Sequence, residues 1–278
     1  MVPSRESDWP YIKNNFHTYL KVGAEEVLLC IDDDSSDEFV TKLEALYDQI
    51  RAKYNDASTL RIVKVEKRND YSFHQAWVRR KGFLEAKNDV ILTGDIDLYI
   101  NKCVLNAVNI VGKDGIGLAS VQKFPLQSNL KASLSTIWRL VYQVFIRSTY
   151  FGVFTGLYSV YRPYWLETED DRIKSLQNVK YAGIKGSLLG EDTYLRDCME
   201  RKYKCVYLRC VGAIDFGIAL HDNPHMQFAM GRLYFHQQKH LWQVLAAAFL
   251  YYHPDSIVGY FYEKERTRKG LAKLGDVV

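Results

Sequence analysis

The residues in this sequence best placed to do chemistry are carboxylates that follow apolar runs. Val90-Ile91-Leu92-Thr93 leads through Gly94 into Asp95-Ile96-Asp97. Side chains two apart on an extended chain point the same way, and two neighbouring carboxylates repel unless a cation joins them. Hard oxygen ligands select Mg²⁺ or Mn²⁺, bridging to phosphate, over zinc. A solvated turn also accounts for the tripeptide by itself, so the apolar strand before it carries the weight. Val27-Leu28-Leu29-Cys30-Ile31 likewise ends in Asp32-Asp33-Asp34-Ser35-Ser36-Asp37. Carboxylates do not take phosphate directly, but they accept hydrogen bonds from a pyrimidine N–H or ribose hydroxyls. That suggests the nucleoside end of a nucleotide at Asp32-Asp33-Asp34, with its diphosphate over a metal at Asp97, while a helix cap with solvated neighbours is the simpler account of this cluster in isolation. Gly190-Glu191-Asp192 opens a helix, whose positive end favours ionised carboxylates, and such a carboxylate can be a general base. Helix capping explains that pair equally well in isolation.

Positioning these groups requires strands that end at one edge of a sheet. The apolar and polar periodicities predict a helix over 9–21, a strand over 27–31, a helix over 38–53 and a strand over 61–66. A helix over 73–86, a strand over 89–93, a helix near 101–111 and a strand over 117–121 follow. Helical spacing over 133–146, a strand over 153–161, a helix from 190 with Leu195, Cys198 and Met199 on one face, and a strand over 205–208 complete the series. Alternation of this kind implies an α/β fold with a mostly parallel central sheet flanked by helices. After Asp222 the chain turns aromatic and basic, so the reading is one α/β domain over 1–220 and a helical appendage over 221–278.

Composition excludes several classes. With 278 residues, 47% hydrophobic and only six prolines, the chain is neither disordered nor collagenous, and it shows no internal repeat. A net charge of +4 gives no reason to expect nucleic acid. Five cysteines without a CxxC pair suggest neither zinc ribbon nor disulfide framework and fit a reducing, cytoplasmic setting. The polar N-terminus shows no secretory signal, and Leu241 to Tyr252 is too short to span a bilayer. GxGxxG, GxxxxGK[ST] and GxSxG are absent, and His236 with His240 lacks the glutamate of a zinc-protease helix.

Taken in order, the segments from about residue 2 to 215 resemble the family-two glycosyltransferases of the GT-A fold. Val2-Pro3-Ser4-Arg5-Glu6 is similar to the end of the family's first strand, and Ile31 to Asp37 to its second acidic motif. Arg79-Arg80-Lys81-Gly82 with Ala86 resembles the helix that follows, and Val90 to Asp97 the strand closing in DxD. Thr155-Gly156 through Arg162 is similar to the acceptor-side segment, and Gly190-Glu191-Asp192 with Arg196 to the GED helix. The resemblance implies a UDP- or GDP-sugar donor, Mn²⁺ or Mg²⁺, and an inverting single displacement onto a glycan or lipid-linked acceptor. Under it Pro3, Ser4, Glu6, Asp32, Asp33 and Arg79 hold the nucleotide, Asp95 meets ribose or sugar, and Asp97 binds metal. His221 completes the metal shell, and Asp192, with Glu191 beside it, is the base.

The sequence departs from that family in two places. It begins almost at the motif that should end strand one, so that strand is either very short or preceded by further residues. Gln238-Lys239-His240-Leu241-Trp242 has Leu where the QxxRW signature of processive synthases has Arg, which argues against processivity. The appendage combines Phe228, Trp242, Phe249, Tyr260 and Phe261 with Lys264, Arg266, Arg268, Lys269 and Lys273. It reads either as a seat on an anionic membrane or as an acceptor-site wall with a solvated tail. Two rivals remain: a catalytically inactive nucleotide-sugar or glycan-binding module of the same fold, and a sugar-phosphate nucleotidyltransferase, whose Gly-rich N-terminal loop is missing here.

Overall fold

A computed structural model of the chain describes residues 1–54, 58–66, 74–125, 157–176, 191–216, 224–236, 239–251 and 254–270. Strands β1 (Val2–Ser4), β2 (Glu26–Asp32) and β3 (Thr59–Val65) form a parallel sheet in that order. The unbroken apolar run in β2 reflects burial on both faces. Val27, Leu29 and Ile31 join one core, with Phe16 and Phe39, while Leu28 and Cys30 join a second, with Val78, Phe83 and Trp165.

Helix α1 (Trp9–Leu20) carries Pro10 in its first turn, where a missing N–H costs nothing. Helix α2 (Asp37–Tyr54) is capped by Ser36, whose hydroxyl accepts the Phe39 N–H at 3.1 Å. Helix α3 (His74–Glu85) closes the third βα unit and matches its predicted span.

Strands β4 (Val90–Thr93), β5 (Leu98–Ile100), β6 (Ile116–Pro125), β7 (Tyr158–Tyr161) and β8 (Lys204–Asp215) form a second sheet, ordered β4-β7-β6-β8-β5. Only β6 and β8 run parallel in it; β4–β7, β6–β7 and β5–β8 are antiparallel. The expected parallel sheet therefore describes β1 to β3, and the remainder is mixed. The short turn after β4 cannot hold a crossover helix, so β5 turns away and pairs with β8 instead. The Met1 amino group donates to Leu92 O at 2.8 Å, joining the β1 edge to β4.

Helix α4 (Val104–Ile110) falls where periodicity places it. Helix α6 (Glu191–Glu200) buries Leu195, Cys198 and Met199 as their spacing predicts. Strand β5 and helix α5 (Arg162–Leu176) go unforeseen in the sequence, and β8 runs on to Asp215 past Arg209 and Gly212, which break its apolar pattern. The predicted helical stretch over 133–146 and the first part of the 153–161 strand lie outside the described residues.

Three helices follow: α7 (Pro224–His236), α8 (Leu241–Tyr251) and α9 (Pro254–Arg268). A Cβ on Gly231 would strike the Ser256 backbone, and one on Gly259 the Phe228 backbone, so α7 and α9 touch main chain to main chain. Buried Arg232 and Glu263 pair at 2.6 Å beside that contact. Among the described residues no helix is long and apolar enough to cross a membrane.

Candidate functional site

Asp95 and Asp97 lie in the turn between β4 and β5, closed by the Leu98 N–H on Asp95 O at 3.1 Å. One face of α1 fixes this turn. Asn15 Nδ2 donates to Ile96 O at 3.2 Å, Tyr19 OH donates to Asp95 O at 2.5 Å, and Thr18 Oγ1 accepts the Ile100 N–H at 3.2 Å. All three side chains are buried, and their i, i+3, i+4 spacing puts them on one stripe. A polar stripe within an otherwise apolar helix face was the available signal for them.

Arg79, buried on α3, pairs with the Asp95 carboxylate. Gly82 explains how α3 comes close enough: a Cβ there would meet the Met1 and Cys30 side chains at 2.6 and 2.9 Å. A residue without a side chain lets the helix settle on β2, with Arg79 one turn away at the strand ends.

Asp97 presents a buried Oδ1 that has no hydrogen-bond partner among the described residues. Burial, then the negative charges of Asp215 and Asp95, push its carboxyl up to about 7, against the opposing pull of Lys123. Lys123, on β6, places Nζ 3.2 Å from Asp215 Oδ2 and 3.9 Å from Asp95 Oδ2. Burial pulls its pKa down, but Asp215, Asp95 and Asp97 outweigh that and hold it above the ordinary lysine range. Neither Lys123 nor Asp215 is flagged by any local motif; only the sheet pairing brings them to the DxD turn.

Asp8 links this cluster to the end of β2. Its carboxyl is raised by burial, with Asp32 and Asp95 adding to the rise while Arg5 opposes it. Asp8 thus feels both the end of β2 and the DxD turn. Asp33 is exposed, its N–H held by Val65 O at 3.1 Å. Pro3 and Ser4 are buried on β1, opposite Cys30 and Ile31. Glu6 accepts the Ser36 hydroxyl at 3.0 Å and its N–H at 3.3 Å, so it braces the acidic loop. Arg162 donates to Phe83 O and Leu84 O at 2.9 and 3.1 Å, closing the end of α3. The side chains of Glu191 and Asp192, and all of His221, lie outside the described residues.

No protein-family model and no curated protein matches the chain. Among solved structures, the mannosyltransferase PcManGT from Pyrobaculum calidifontis, in complex with GDP-Man and Mn²⁺, overlaps 96% of this chain and 74% of its own at a TM-score of 0.53 and 13% identity. Residues 1–349 of S. aureus TarS overlap 97% and 90% at 0.48 and 14% identity. Glucosyl-3-phosphoglycerate synthase from Mycobacterium tuberculosis overlaps 85% and 78% at 0.47 and 12%. The chain has the GT-A fold.

At the strand ends, Asp32 closes β2, Asp95 and Asp97 follow β4, and Arg79 pairs with Asp95. The donor set suits a hard divalent cation: an orphaned carboxylate oxygen at Asp97 among further carboxylates. Among the described residues no three His, Cys, Asp or Glu side chains could close around a metal. Mg²⁺ and Mn²⁺ are commonly held by one or two carboxylates, with substrate phosphates and water supplying the rest.

Proposed function

We propose that the chain is an inverting, divalent-metal-dependent glycosyltransferase that moves a sugar from a UDP- or GDP-sugar to a hydroxyl of a glycan or lipid-linked acceptor. One observation carries this reading: a buried oxygen of Asp97, with no hydrogen-bond partner among the described residues, sits in the turn after β4 of a GT-A fold, next to the Arg79–Asp95 pair. The GDP-Man and Mn²⁺ bound to the Pyrobaculum enzyme support the donor class and the metal.

Asp32 and Asp33 take the nucleoside, on a floor formed by Pro3 and Ser4 and braced through Glu6. Arg79 orients Asp95 toward ribose or sugar. Asp97, with His221, would hold Mn²⁺ or Mg²⁺, and the metal would supply positive charge beside the diphosphate. Asp192, with Glu191 beside it, removes the acceptor proton as the acceptor oxygen attacks the anomeric carbon. The new C–O bond forms on the face opposite the leaving group, and the bond to the β-phosphate oxygen breaks with its electrons, which inverts the centre.

Residues 1–220 form the donor-binding domain, and 221–278 an appendage facing the acceptor. The appendage rests on the cytoplasmic face of an anionic membrane. Trp242, Leu245 and Phe249 support this: they lie on one stripe of α8, exposed to 66%, 45% and 72%, while Val244 and Ala248 of the same helix are buried. Exposed Lys264, Arg268 and Lys269 at the end of α9 supply the matching charge.

The test is titration of UDP and GDP into the parent chain and Asp97→Asn, each in Mn²⁺ and in EDTA. The substitution should weaken binding in Mn²⁺ at least tenfold and change it little in EDTA. Equal affinities under both conditions would remove Asp97 from the metal and the reading with it.

A further inference from the structure

Lys123 reaches the carboxylate cluster through an irregularity in the sheet. Where β6 advances from Ser120 to Lys123, its parallel partner β8 advances from Tyr207 to Ala213, so the pairing shifts register twice in this stretch. Bulges of this kind re-aim side chains and concentrate near active sites. Beyond the bulge, Asp215 lies between Pro125 of β6 and Leu98 of β5, the strand that leaves the DxD turn. Lys123 Nζ thereby stands 3.2 Å from Asp215 and 3.9 Å from Asp95, while Arg79 takes the other Asp95 oxygen.

Charge counting shows what this does. With Asp97 ionised, as a metal would require, Asp95, Asp97 and Asp215 carry three negative charges against the two positive charges of Arg79 and Lys123, and neighbouring Asp8 adds to the negative side. Among these described residues, negative charge outweighs positive once Asp97 has lost its proton. A lysine with its side chain only 20% exposed among carboxylates holds them together, yet it also repels a second cation entering the same cluster.

We propose that Lys123 is the resident countercation of this cluster: it holds Asp95 and Asp215 in place without metal and sets how tightly the divalent ion is bound. The inference rests on Asp97 being a metal ligand. Lys123 is a positioning residue in this scheme, and the affinity it sets is a balance between its own ion pairs and the metal.

The experiment is a titration of Mn²⁺ alone into wild type, Lys123→Met, Lys123→Arg and Asp97→Asn, with thermal unfolding of each in EDTA and in Mn²⁺. Lys123→Met should bind Mn²⁺ about tenfold or more tightly than wild type. In EDTA its midpoint should fall by about 2–4 °C or more, and Mn²⁺ should restore it. Lys123→Arg, which keeps the charge, should behave as wild type in both respects. A merely structural lysine would leave Mn²⁺ affinity unchanged or lower it on removal, and either result overturns the inference. Failure of the metal reading is separately visible: wild type and Asp97→Asn would then both bind no Mn²⁺, whereas a failure confined to Lys123 leaves that pair distinct.

Discussion

At the scale of single residues, Asp97 governs how the site responds to pH. Its carboxyl lies at about 7 in the folded chain against 3.8 ordinarily, raised first by burial and then by Asp215 and Asp95. The folded chain binds this proton more tightly than the unfolded one. Through this group stability therefore falls as pH rises from about 4 to 7, and no further loss follows above that. Under the proposed metal role Asp97 would have to lose the same proton, so Mn²⁺ affinity should climb by up to about tenfold per pH unit below 7 and level off above. Calorimetric Mn²⁺ titrations from acid to mildly alkaline pH check this, and a flat wild-type profile would refute it. Asp192 makes a separate prediction. Asp192→Asn should leave UDP or GDP affinity nearly intact and lower turnover by roughly 10²–10⁴-fold. Loss of donor affinity with turnover intact at saturation would count against a base. The place of Asp95 and Asp97 after β4 was legible because an apolar strand runs into them, and Arg79 was singled out only through the resemblance of its helix to the family's. Asp8, Lys123 and Asp215 were not, because their roles come from partners far along the chain.

At the scale of elements, the strands and helices that read clearly were those whose periodicity is uninterrupted: β2, α1, α2 and the buried face of α6. Strand β5 has three residues, too few to show a period, and β8 is broken by the bulge that places Asp215. Helix α1 read as an ordinary amphipathic helix, while its Asn15, Thr18 and Tyr19 stripe turned out to anchor the DxD turn. Helices α7 and α9 give the sharpest element-level prediction. Adding a methyl at Gly259 or Gly231 meets backbone that cannot swing aside, which forces the helices apart around the buried Arg232–Glu263 pair. Gly259→Ala should destabilise this region by about 1–3 kcal/mol or more, seen as a lower midpoint and faster amide exchange in α7 and α9. Unchanged exchange there would show that the helices repack freely.

At the scale of the whole molecule, the α8 stripe and the basic end of α9 predict reversible attachment to anionic bilayers. Each basic residue near such a surface contributes about 1 kcal/mol, so a few of them with inserted aromatics suffice. In liposome co-sedimentation, binding should require anionic lipid, weaken with salt and drop sharply in Trp242→Ser/Phe249→Ser. Indifference to lipid charge would return α8 to an acceptor wall. The sequence by itself determined the fold class, the order of the βα units and the carboxylates that end β2 and β4, because these depend on local periodicity and on which residues terminate an apolar run. Only the tertiary structure decided that the second sheet is mixed, that α1 secures the DxD turn, and that Lys123 and Asp215 join the cluster. Those outcomes depend on strand pairing, a sheet bulge and the loss of water around charges, and none of these leaves a mark on neighbouring residues in the chain.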